Sequence, residues 1–170
     1  MNAEKNPEVK KENLETAIFA GGCFWCMEPP YDKLDGIVST TVGYTGGNVP
    51  NPNYEEVSTG ETGHAEAIRI VFDSTSTSYR ELLDVFWRNI DPTNPFGQFA
   101  DRGSQYRTAI FYNSPRQKEL AEESRRRLEA SGKFDKPIAT QIEKAGEFYP
   151  AEEYHQEFYK KNPLRYYNYK

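Results

Sequence analysis

The chain has only two cysteines, Cys23 and Cys26, and they stand three positions apart. A pair this close cannot join distant segments, so the sequence excludes a disulfide scaffold, and the fold must depend on a hydrophobic core. Hydrophobic residues make up 36% of the 170 residues, and the 14% that are aromatic each bury a large area. A chain of this length most simply forms one domain. We therefore expect a single domain over residues 14–170, preceded by a charged, flexible arm over residues 1–13.

The charge and the apolar runs of the sequence argue against two classes of partner. The 26 acidic and 21 basic residues give a net charge of -5 at pH 7, so no overall positive field attracts phosphate groups, and we expect no nucleic-acid partner. No apolar run approaches the roughly 20 residues of a membrane span. The polar residues 1–5 also lack the apolar stretch of a signal peptide. We expect a cytoplasmic protein without membrane contact.

Short strand patterns alternate with helical patterns along the chain. The strand patterns cover residues 16–20, 38–44, 64–72, 106–112 and 137–143. The helical patterns cover residues 79–90, the stretch from Ser114-Pro115 to Gly132, and residues 152–161, while residues 48–53 and 91–104 are rich in turn formers. Residues 24–34 are helical at best, because Pro29-Pro30 disfavours a regular helix. This order predicts an α/β (α+β) fold, a single-domain two-layer sandwich with a mixed sheet, flanking helices and long irregular loops.

The two cysteines follow Gly21-Gly22 at the end of the first predicted strand. A thiol at the opening of a helical turn meets unpaired backbone N–H groups, which favour its thiolate. The alternative is that both thiols are small buried hydrophobic groups. Phe24 and Trp25, which come next, are either ordinary core residues or an apolar box beside the thiolate that could hold a methyl group or thioether.

Glu66 lies on the core-facing row of the predicted strand that begins at His64. Burial of a carboxyl group raises its pKa and keeps a proton available near neutral pH, so Glu66 is a candidate general acid. The alternative is a strand-end residue that reaches water or pairs with Arg69. We expect His64 to be structural.

Five segments, in this order, resemble the peptide methionine sulfoxide reductases of the A type: GCFWCMEPP, VGYTGG, NPNYEEV, TGHAEAIRI and DRGSQYRTAI. The resemblance covers about residues 16–160. It implies reduction of the S epimer of methionine sulfoxide, free or in oxidised proteins, on a two-layer α/β fold. The domain over residues 14–170 is then expected to be a single catalytic domain, monomeric, with no bound cofactor and no metal.

Carried over by position, the resemblance implies a nucleophile at Cys23 and a proton donor at Glu66. The methyl-binding aromatic residues fall on Phe24 and Trp25. The Cys23 thiolate is expected to attack the sulfoxide sulfur while Glu66 protonates the departing oxygen, which leaves methionine and a Cys23 sulfenic acid.

Three loop residues match the family's polar groups around the sulfoxide. Tyr54 and Tyr106 match its hydroxyl donors, and Asp101 matches an acidic residue near the same pocket. Without the resemblance, each has an ordinary alternative, because loop tyrosines often cover core edges and an Asp in a turn often bonds its own backbone.

The resolving thiol is the point where this chain departs from the commonest family pattern. Many members carry resolving cysteines in a C-terminal segment, but no cysteine follows Cys26 here. Cys26 lies one helical turn, about 5–6 Å, from Cys23, which is within disulfide range. We predict a Cys23–Cys26 disulfide that is reduced by thioredoxin or a glutaredoxin. Direct attack by an external thiol such as glutathione, with Cys26 as a bystander, stays open.

Two other functions compete with this interpretation. A CxxC pair between a strand and a helix is also the setting of a general thioredoxin-like dithiol oxidoreductase, although Phe24 and Trp25 would crowd a protein partner there. A zinc module would need its four possible ligands to converge; these are Cys23, Cys26, His64 and His155. The aromatic, basic tail over residues 165–170 could stack on single-stranded nucleic acid, or it packs over the domain.

Overall fold

The computed structural model describes residues 10–99 and 101–169. The strands are β1 (Leu14–Gly21), β2 (Ile37–Thr45), β3 (Ala65–Asp73), β4 (Gly97–Gln98), β5 (Asp101–Arg102), β6 (Thr108–Tyr112), β7 (Gln141–Lys144) and β8 (Phe148–Pro150). The helices are α1 (Phe24–Asp32), α2 (Tyr54–Ser58), α3 (Tyr79–Arg88), α4 (Pro115–Ala130), α5 (Phe158–Lys161) and α6 (Pro163–Tyr169). Short 3₁₀ turns cover Lys11–Asn13, Ser104–Tyr106 and Glu153–His155.

Within the described residues, six strands form one mixed sheet in the order β7-β6-β1-β3-β2-β8. Neighbouring strands run antiparallel, except for β6 and β7, which run parallel. The main core lies between one face of this sheet and helices α1, α3 and α4. The predicted α/β fold with a mixed sheet and flanking helices is confirmed. In the described part of the chain, no helix has the length and apolarity that a bilayer crossing requires.

An aromatic stack at the centre of the core joins the sheet to two helices. Phe19 of β1 is fully buried, and its ring stacks on Tyr31 of α1 at 5.9 Å, on Tyr79 at 5.9 Å and on Phe86 of α3 at 5.1 Å between centroids. Burying this much aromatic surface is the largest favourable contribution that a chain of this composition can make. The stack therefore holds α1, and with it the CxxC pair, against the sheet.

The alternation of β3 positions a carboxyl group inside the protein. Ile68, Ile70 and Phe72 are fully buried on the same face as Glu66. The opposite face of the same strand packs Ala67 into a second, smaller cluster with residues of β1 and β6. Because both faces of β3 are covered at this end, Glu66 cannot turn toward water.

Both strongly periodic helices begin where the sequence predicts. The Ser78 hydroxyl accepts a hydrogen bond from the Glu81 N–H at 3.2 Å, and the Ser114 hydroxyl accepts one from the Gln117 N–H at 3.1 Å. Pro115 occupies the first position of α4, where a missing N–H has no cost. Local capping chemistry is sufficient to locate these two starts.

Several predicted boundaries are wrong. Pro29 and Pro30 lie inside α1 and remove two of its hydrogen bonds without ending it, because its buried face holds it to the sheet. The strand expected over residues 106–112 begins at Thr108, since Tyr106 belongs to a 3₁₀ turn. The helix expected over residues 152–161 is interrupted at Glu157, whose φ is 52°.

Other elements were not expected, or were expected elsewhere. The loop over residues 91–104 contains the β4–β5 hairpin, and the strand expected over residues 137–143 is found as β7. The sequence did not predict α2 or β8. Of the predicted N-terminal arm, residues 1–9 lie outside the described residues, while the Asn13 carbonyl accepts a hydrogen bond from the Ser74 N–H at 2.8 Å.

We expect Gly21→Ala to lower the free energy of unfolding by about 1–3 kcal/mol, because overpacking a buried site forces its neighbours to move. A Cβ atom at this position would lie 2.7 Å from Met27 Sδ and 2.9 Å from Ile90 Cγ2, both in the core. Urea denaturation measures the change. Gly146→Ala is the matched control, because a Cβ atom there meets nothing within 4 Å. Equal losses at the two positions would show that core packing is not the cause.

Candidate active site

Cys23 lies where β1 passes into α1, at the N-cap position of the helix. Gly22 has a φ of 90°, which glycine adopts without strain, and a Cβ atom there would lie 2.7 Å from Gln98 Cβ. The turn therefore needs glycine both for its backbone and for the close approach of β4. The Cys23 carbonyl accepts a hydrogen bond from the Cys26 N–H at 3.1 Å. Both cysteines are half-buried.

Glu66 meets the first turn of α1 from β3. Its side chain is 1% exposed, and its Oε1 accepts a hydrogen bond from the Phe24 N–H at 3.1 Å. Burial raises the pKa of Glu66 to about 8; the charges of Asp101 and Cys26 add to the rise, and the Phe24 N–H opposes it. The alternative in which Glu66 reaches water or pairs with Arg69 is wrong, since the Arg69 guanidinium lies 4.7 Å from the centre of the Phe148 ring.

The two oxygens of Glu66 have different surroundings. Oε1 already accepts a backbone hydrogen bond, whereas Oε2 is buried and has no hydrogen-bond partner among residues 10–99 and 101–169. A carboxyl group with a pKa of about 8 is mostly protonated at neutral pH. The proton therefore belongs on Oε2, where it can be donated to a substrate.

Tyr54 and Tyr106 are both electrostatically coupled to Glu66 and Cys23. Burial raises the pKa of each hydroxyl above its ordinary value, and the charge on Glu66 is the next largest cause for both. Asp101 raises the pKa of Tyr106 as well as that of Glu66. Both phenols are thus neutral donors at physiological pH, and these three loop residues lie within electrostatic range of the carboxyl group.

A capping box positions Tyr54 at the start of α2. The Asn53 side chain accepts a hydrogen bond from the Glu56 N–H at 2.8 Å, and the Glu56 carboxylate accepts one from the Asn53 N–H at 2.9 Å. Glu152 holds the same turn from the C-terminal region, because its Oε2 accepts a hydrogen bond from the Tyr54 N–H and its Oε1 accepts one from the Tyr44 hydroxyl, both at 2.9 Å.

Phe24 and Trp25 occupy different environments. The Phe24 ring is 1% exposed and lies among aromatic rings, 5.8 Å from Tyr44 and 6.5 Å from Tyr54 between centroids. Trp25 is half-buried, and its indole stacks on Phe158 of α5 at 3.8 Å with 7° between the planes. Phe24 is therefore a core residue, while Trp25 lies nearer the surface with Phe158 against one face of its indole.

His155 and Phe158 are neighbours of the site that the sequence did not single out for this chemistry. The Trp25 Nε1–H donates a hydrogen bond to His155 Nδ1 at 3.0 Å, and the His155 ring lies 4.4 Å from that of Tyr54. Burial lowers the pKa of His155, so it is neutral and carries its proton on Nε2. His155 and Phe158 are three residues apart in the predicted helix, so the sequence could have indicated that they share one helix face. It did not indicate that this face contacts Trp25.

The C-terminal helix α6 packs on the same part of the molecule. The Arg165 guanidinium lies 5.8 Å from the centre of the Trp25 indole and 5.7 Å from that of Phe158. Burial raises the pKa of the Tyr166 hydroxyl, and the charges of Cys26 and Cys23 add to the rise. These contacts agree with the interpretation that the start of the tail packs over the domain.

His64 has the structural role expected of it. Its Nδ1 accepts a hydrogen bond from the Gly47 N–H at 3.0 Å, so its Nε2–H donates to the Val49 carbonyl at 2.7 Å. His155 is committed to the Trp25 indole in the same way. Within the described ranges, no group of three or more His, Cys, Asp or Glu side chains could hold a metal ion.

The structure brings the predicted residues to one place from separate segments. Cys23, Phe24, Trp25 and Cys26 come from the β1–α1 junction, and the others come from three further regions: Glu66 from β3, Tyr54 from α2, and Asp101 and Tyr106 from the stretch that runs from β5 through the following 3₁₀ turn. A nucleophilic thiol, a buried neutral acid, two phenol donors and aromatic walls together suit attack on a polar but uncharged group.

Comparison with known proteins agrees with this chemistry. The family model described as peptide methionine sulfoxide reductase matches residues 15–170. The peptide methionine sulfoxide reductase MsrA of Leuconostoc mesenteroides is 62% identical over 152 residues, which are 89% of this chain and 89% of that protein. The MsrA of Streptococcus uberis is 59% identical over 153 residues, 90% of each chain.

Solved structures show the same fold. Reduced Mxr1 from Saccharomyces cerevisiae superposes with a TM-score of 0.82 at 36% identity and covers 94% of this chain and 92% of that one. Methionine sulfoxide reductase A of Corynebacterium diphtheriae has a TM-score of 0.79 at 36% identity, covering 92% and 78%. A structure of Mxr1 in complex with Trx2 has a TM-score of 0.60 at 29% identity and covers 91% of each chain. With the family model spanning nearly its whole length, this chain belongs to the peptide methionine sulfoxide reductase family.

Proposed function

We propose that this protein reduces methionine S-sulfoxide to methionine with Cys23 as nucleophile and Glu66 as proton donor. The Cys23 thiolate attacks the sulfoxide sulfur, and the Glu66 proton is transferred to the oxygen as the sulfur–oxygen bond breaks. The Cys23 sulfur is then bonded to the substrate sulfur; the released hydroxide attacks the Cys23 sulfur, the sulfur–sulfur bond breaks with its electron pair on the substrate sulfur, and the products are a Cys23 sulfenic acid and methionine. Membership of the family supports this reaction in preference to a general dithiol oxidoreductase.

The observation that carries this mechanism is the buried Oε2 of Glu66. It is protonated near neutral pH, it has no hydrogen-bond partner in the described part of the chain, and the other oxygen of the same carboxyl group is bonded to the residue next to Cys23. A neutral acid held beside a nucleophile is what a poor oxyanion leaving group requires. Tyr54 and Tyr106 supply further hydroxyl donors to the oxygen, and Asp101 helps to keep Glu66 protonated.

Phe24 and Trp25 are proposed to hold the methyl group of the substrate. Burial of one methyl group contributes about 0.8 kcal/mol, which is enough to orient a thioether but not to bind it tightly. The two rings approach from different sides, because Phe24 faces the core and Trp25 lies near the surface. Because Phe24 and Trp25 directly follow Cys23 at the start of α1, a methyl group held by the two rings would place the substrate sulfur next to the Cys23 thiol.

Cys26 is proposed to resolve the sulfenic acid. Its thiol attacks the Cys23 sulfur, a Cys23–Cys26 disulfide forms, and the hydroxyl group leaves as water. The two residues are joined by a backbone hydrogen bond of 3.1 Å in the first turn of α1, so the thiols need little movement to meet. The family member seen in complex with Trx2 supports a thioredoxin as the reductant of this disulfide, with a glutaredoxin or glutathione as alternatives.

We propose a single catalytic domain over residues 14–170, which acts as a monomer on free and protein-bound methionine sulfoxide. The arm over residues 1–13 is given no function. A cytoplasmic location stays a prediction.

We expect Cys23→Ser to abolish reduction of dabsyl-methionine S-sulfoxide, because a serine hydroxyl is not ionised near neutral pH and is a far weaker nucleophile toward sulfur. Chromatographic separation of dabsyl-methionine from its sulfoxide measures the rate. Thermal unfolding of the variant serves as the control for folding, since the change is nearly isosteric. Undiminished turnover by Cys23→Ser would refute the nucleophile assignment.

We expect kcat/KM to fall as the pH rises through about 8, because Glu66 loses its proton there. Below this pKa the Glu66 carboxyl group is protonated and can donate its proton. Above it Glu66 is a carboxylate and cannot, so kcat/KM falls with rising pH. Glu66→Gln should lower kcat about 10²–10⁴-fold and remove this alkaline limb. Glu28→Gln is the matched control, because Glu28 is the other buried carboxyl group with a raised pKa, about 7. If the limb disappears in Glu28→Gln and persists in Glu66→Gln, Glu66 is not the acid.

We expect Cys26→Ser to stop thioredoxin-driven turnover after the first cycle, because no other cysteine in the chain can attack the sulfenic acid. Mass spectrometry after one turnover without reductant should find a Cys23–Cys26 disulfide in the wild type and one added oxygen atom in the variant. A single burst of methionine should remain, since the first step does not use Cys26. Sustained wild-type turnover of Cys26→Ser with thioredoxin would assign the recycling step to direct attack by the external thiol.

A further inference from the structure

The outer support of Trp25 is a four-residue segment over residues 155–158. Phe158, at one end of it, stacks on the indole at 3.8 Å, and His155, at the other end, accepts the indole N–H at 3.0 Å. A stacked face and a hydrogen bond at the ring edge together fix both the tilt and the rotation of the indole. The position of this segment therefore determines the position of the Trp25 indole.

The two middle residues of the segment anchor it to the rest of the protein. The Gln156 side-chain amide accepts a hydrogen bond from the Val42 N–H and donates one to the Val42 carbonyl, both at 2.9 Å. Glu157 has a φ of 52°, a left-handed conformation that is uncommon outside glycine. Its N–H donates a hydrogen bond to Glu28 Oε1 at 2.8 Å. The turn that separates His155 from α5 is thus held by a carboxyl group of α1.

Glu28 is fully buried and stands three positions after Trp25 in α1. Its Oε2 lies 3.2 Å from the Thr40 hydroxyl, which lies 2.7 Å from Asp32 Oδ1. The single hydroxyl hydrogen cannot be donated to two carboxylates at once. Burial raises the pKa of Glu28 to about 7, which fits a neutral Glu28 that donates to Thr40 while Thr40 donates to Asp32. In this arrangement Oε1 is left as the acceptor for the Glu157 N–H.

We infer that Glu28 is a positioning residue for the methyl-binding pocket: by holding the Glu157 N–H, it keeps His155 and Phe158 in place against Trp25. This inference rests on the proposed contact between Trp25 and the substrate methyl group. The path is short, because Trp25 and Glu28 share one helix and both reach the same four-residue segment. This role requires a side chain long enough to place an acceptor oxygen at the Glu157 N–H. It does not require a negative charge.

Two substitutions separate reach from charge. Glu28→Gln keeps the length, the carbonyl acceptor for Glu157 and a donor for Thr40, and removes the ionisable group. Glu28→Asp keeps the carboxyl group and withdraws it from the Glu157 N–H by one methylene. We expect the KM for methionine S-sulfoxide to stay within twofold in Glu28→Gln and to rise about three- to fourfold in Glu28→Asp, because loss of the methyl contact, about 0.8 kcal/mol, corresponds to that factor.

Two further measurements distinguish a displacement of the Trp25 indole from a general disruption of the active site. The sequence contains two tryptophans, so the Trp87→Phe background leaves Trp25 as the only indole fluorophore. In this background we expect a red-shifted emission in Glu28→Asp and an unchanged emission in Glu28→Gln. The rate of Cys23 alkylation by iodoacetamide should change in neither variant, because the thiol does not depend on the segment.

Thr40→Val is the matched control, since it removes the hydroxyl between Glu28 Oε2 and Asp32 Oδ1 and leaves the hydrogen bond from the Glu157 N–H to Glu28 Oε1 in place. We expect it to lower stability and to leave KM unchanged.

Phe158→Leu tests the other end of the segment, where Phe158 stacks on Trp25. The substitution is mild, so it is informative even if Glu28→Asp unfolds. We expect KM to rise and the Trp25 emission to shift.

The inference is overturned if Glu28→Asp retains wild-type KM and emission, if Glu28→Gln is as impaired as Glu28→Asp, if Thr40→Val raises KM equally, or if Phe158→Leu leaves KM unchanged. Trp25→Leu separates this failure from that of the proposed pocket. If Trp25→Leu raises KM while Glu28→Asp does not, only the role of Glu28 falls. If Trp25→Leu leaves KM unchanged, the methyl-binding role of Trp25 falls, and the role of Glu28 falls with it.

Discussion

The hydrogen bond from the Phe24 N–H to Glu66 Oε1 is the interaction on which the site depends. It joins the first turn of α1 to β3 across 42 residues of sequence, with a length of 3.1 Å. One oxygen of a buried carboxyl group thereby accepts a hydrogen bond from the helix N-terminal amide next to Cys23. The other oxygen keeps the proton. The Glu66 carboxyl group is thus held to the first turn of the helix that begins at Cys23.

Burial raises the pKa of two carboxyl groups, those of Glu66 and Glu28. Desolvation is the largest cause of the raised pKa at both Glu66 and Glu28. One oxygen of Glu66 has no hydrogen-bond partner among the residues that the structure describes, which suits proton donation, whereas Glu28 uses both of its oxygens in hydrogen bonds, which suits holding structure in place. The number of partners, and not the pKa, therefore separates a reacting group from a supporting one.

The local signals in the sequence predicted what local chemistry controls. The starts of α3 and α4 follow from Ser78 and Ser114, and the burial of Glu66 follows from strand alternation. Local rules failed where long-range packing competes with them. The Pro29-Pro30 pair does not end α1, because its buried residues hold the helix to the sheet, and Glu157 breaks a predicted helix because a distant carboxyl group stabilises its left-handed backbone.

The sequence by itself determined that this protein carries one closely spaced thiol pair, one carboxyl group on a core-facing strand and aromatic rings next to the thiols, since residue type, spacing and periodicity are local properties. It also carried the ordered motifs by which the family is recognised. Only the tertiary structure decided that His155 and Phe158 support Trp25 from more than 100 residues away along the chain, and that Glu28 reaches the segment between them. Such contacts depend on how the C-terminal region folds back over α1, and no local pattern encodes that geometry.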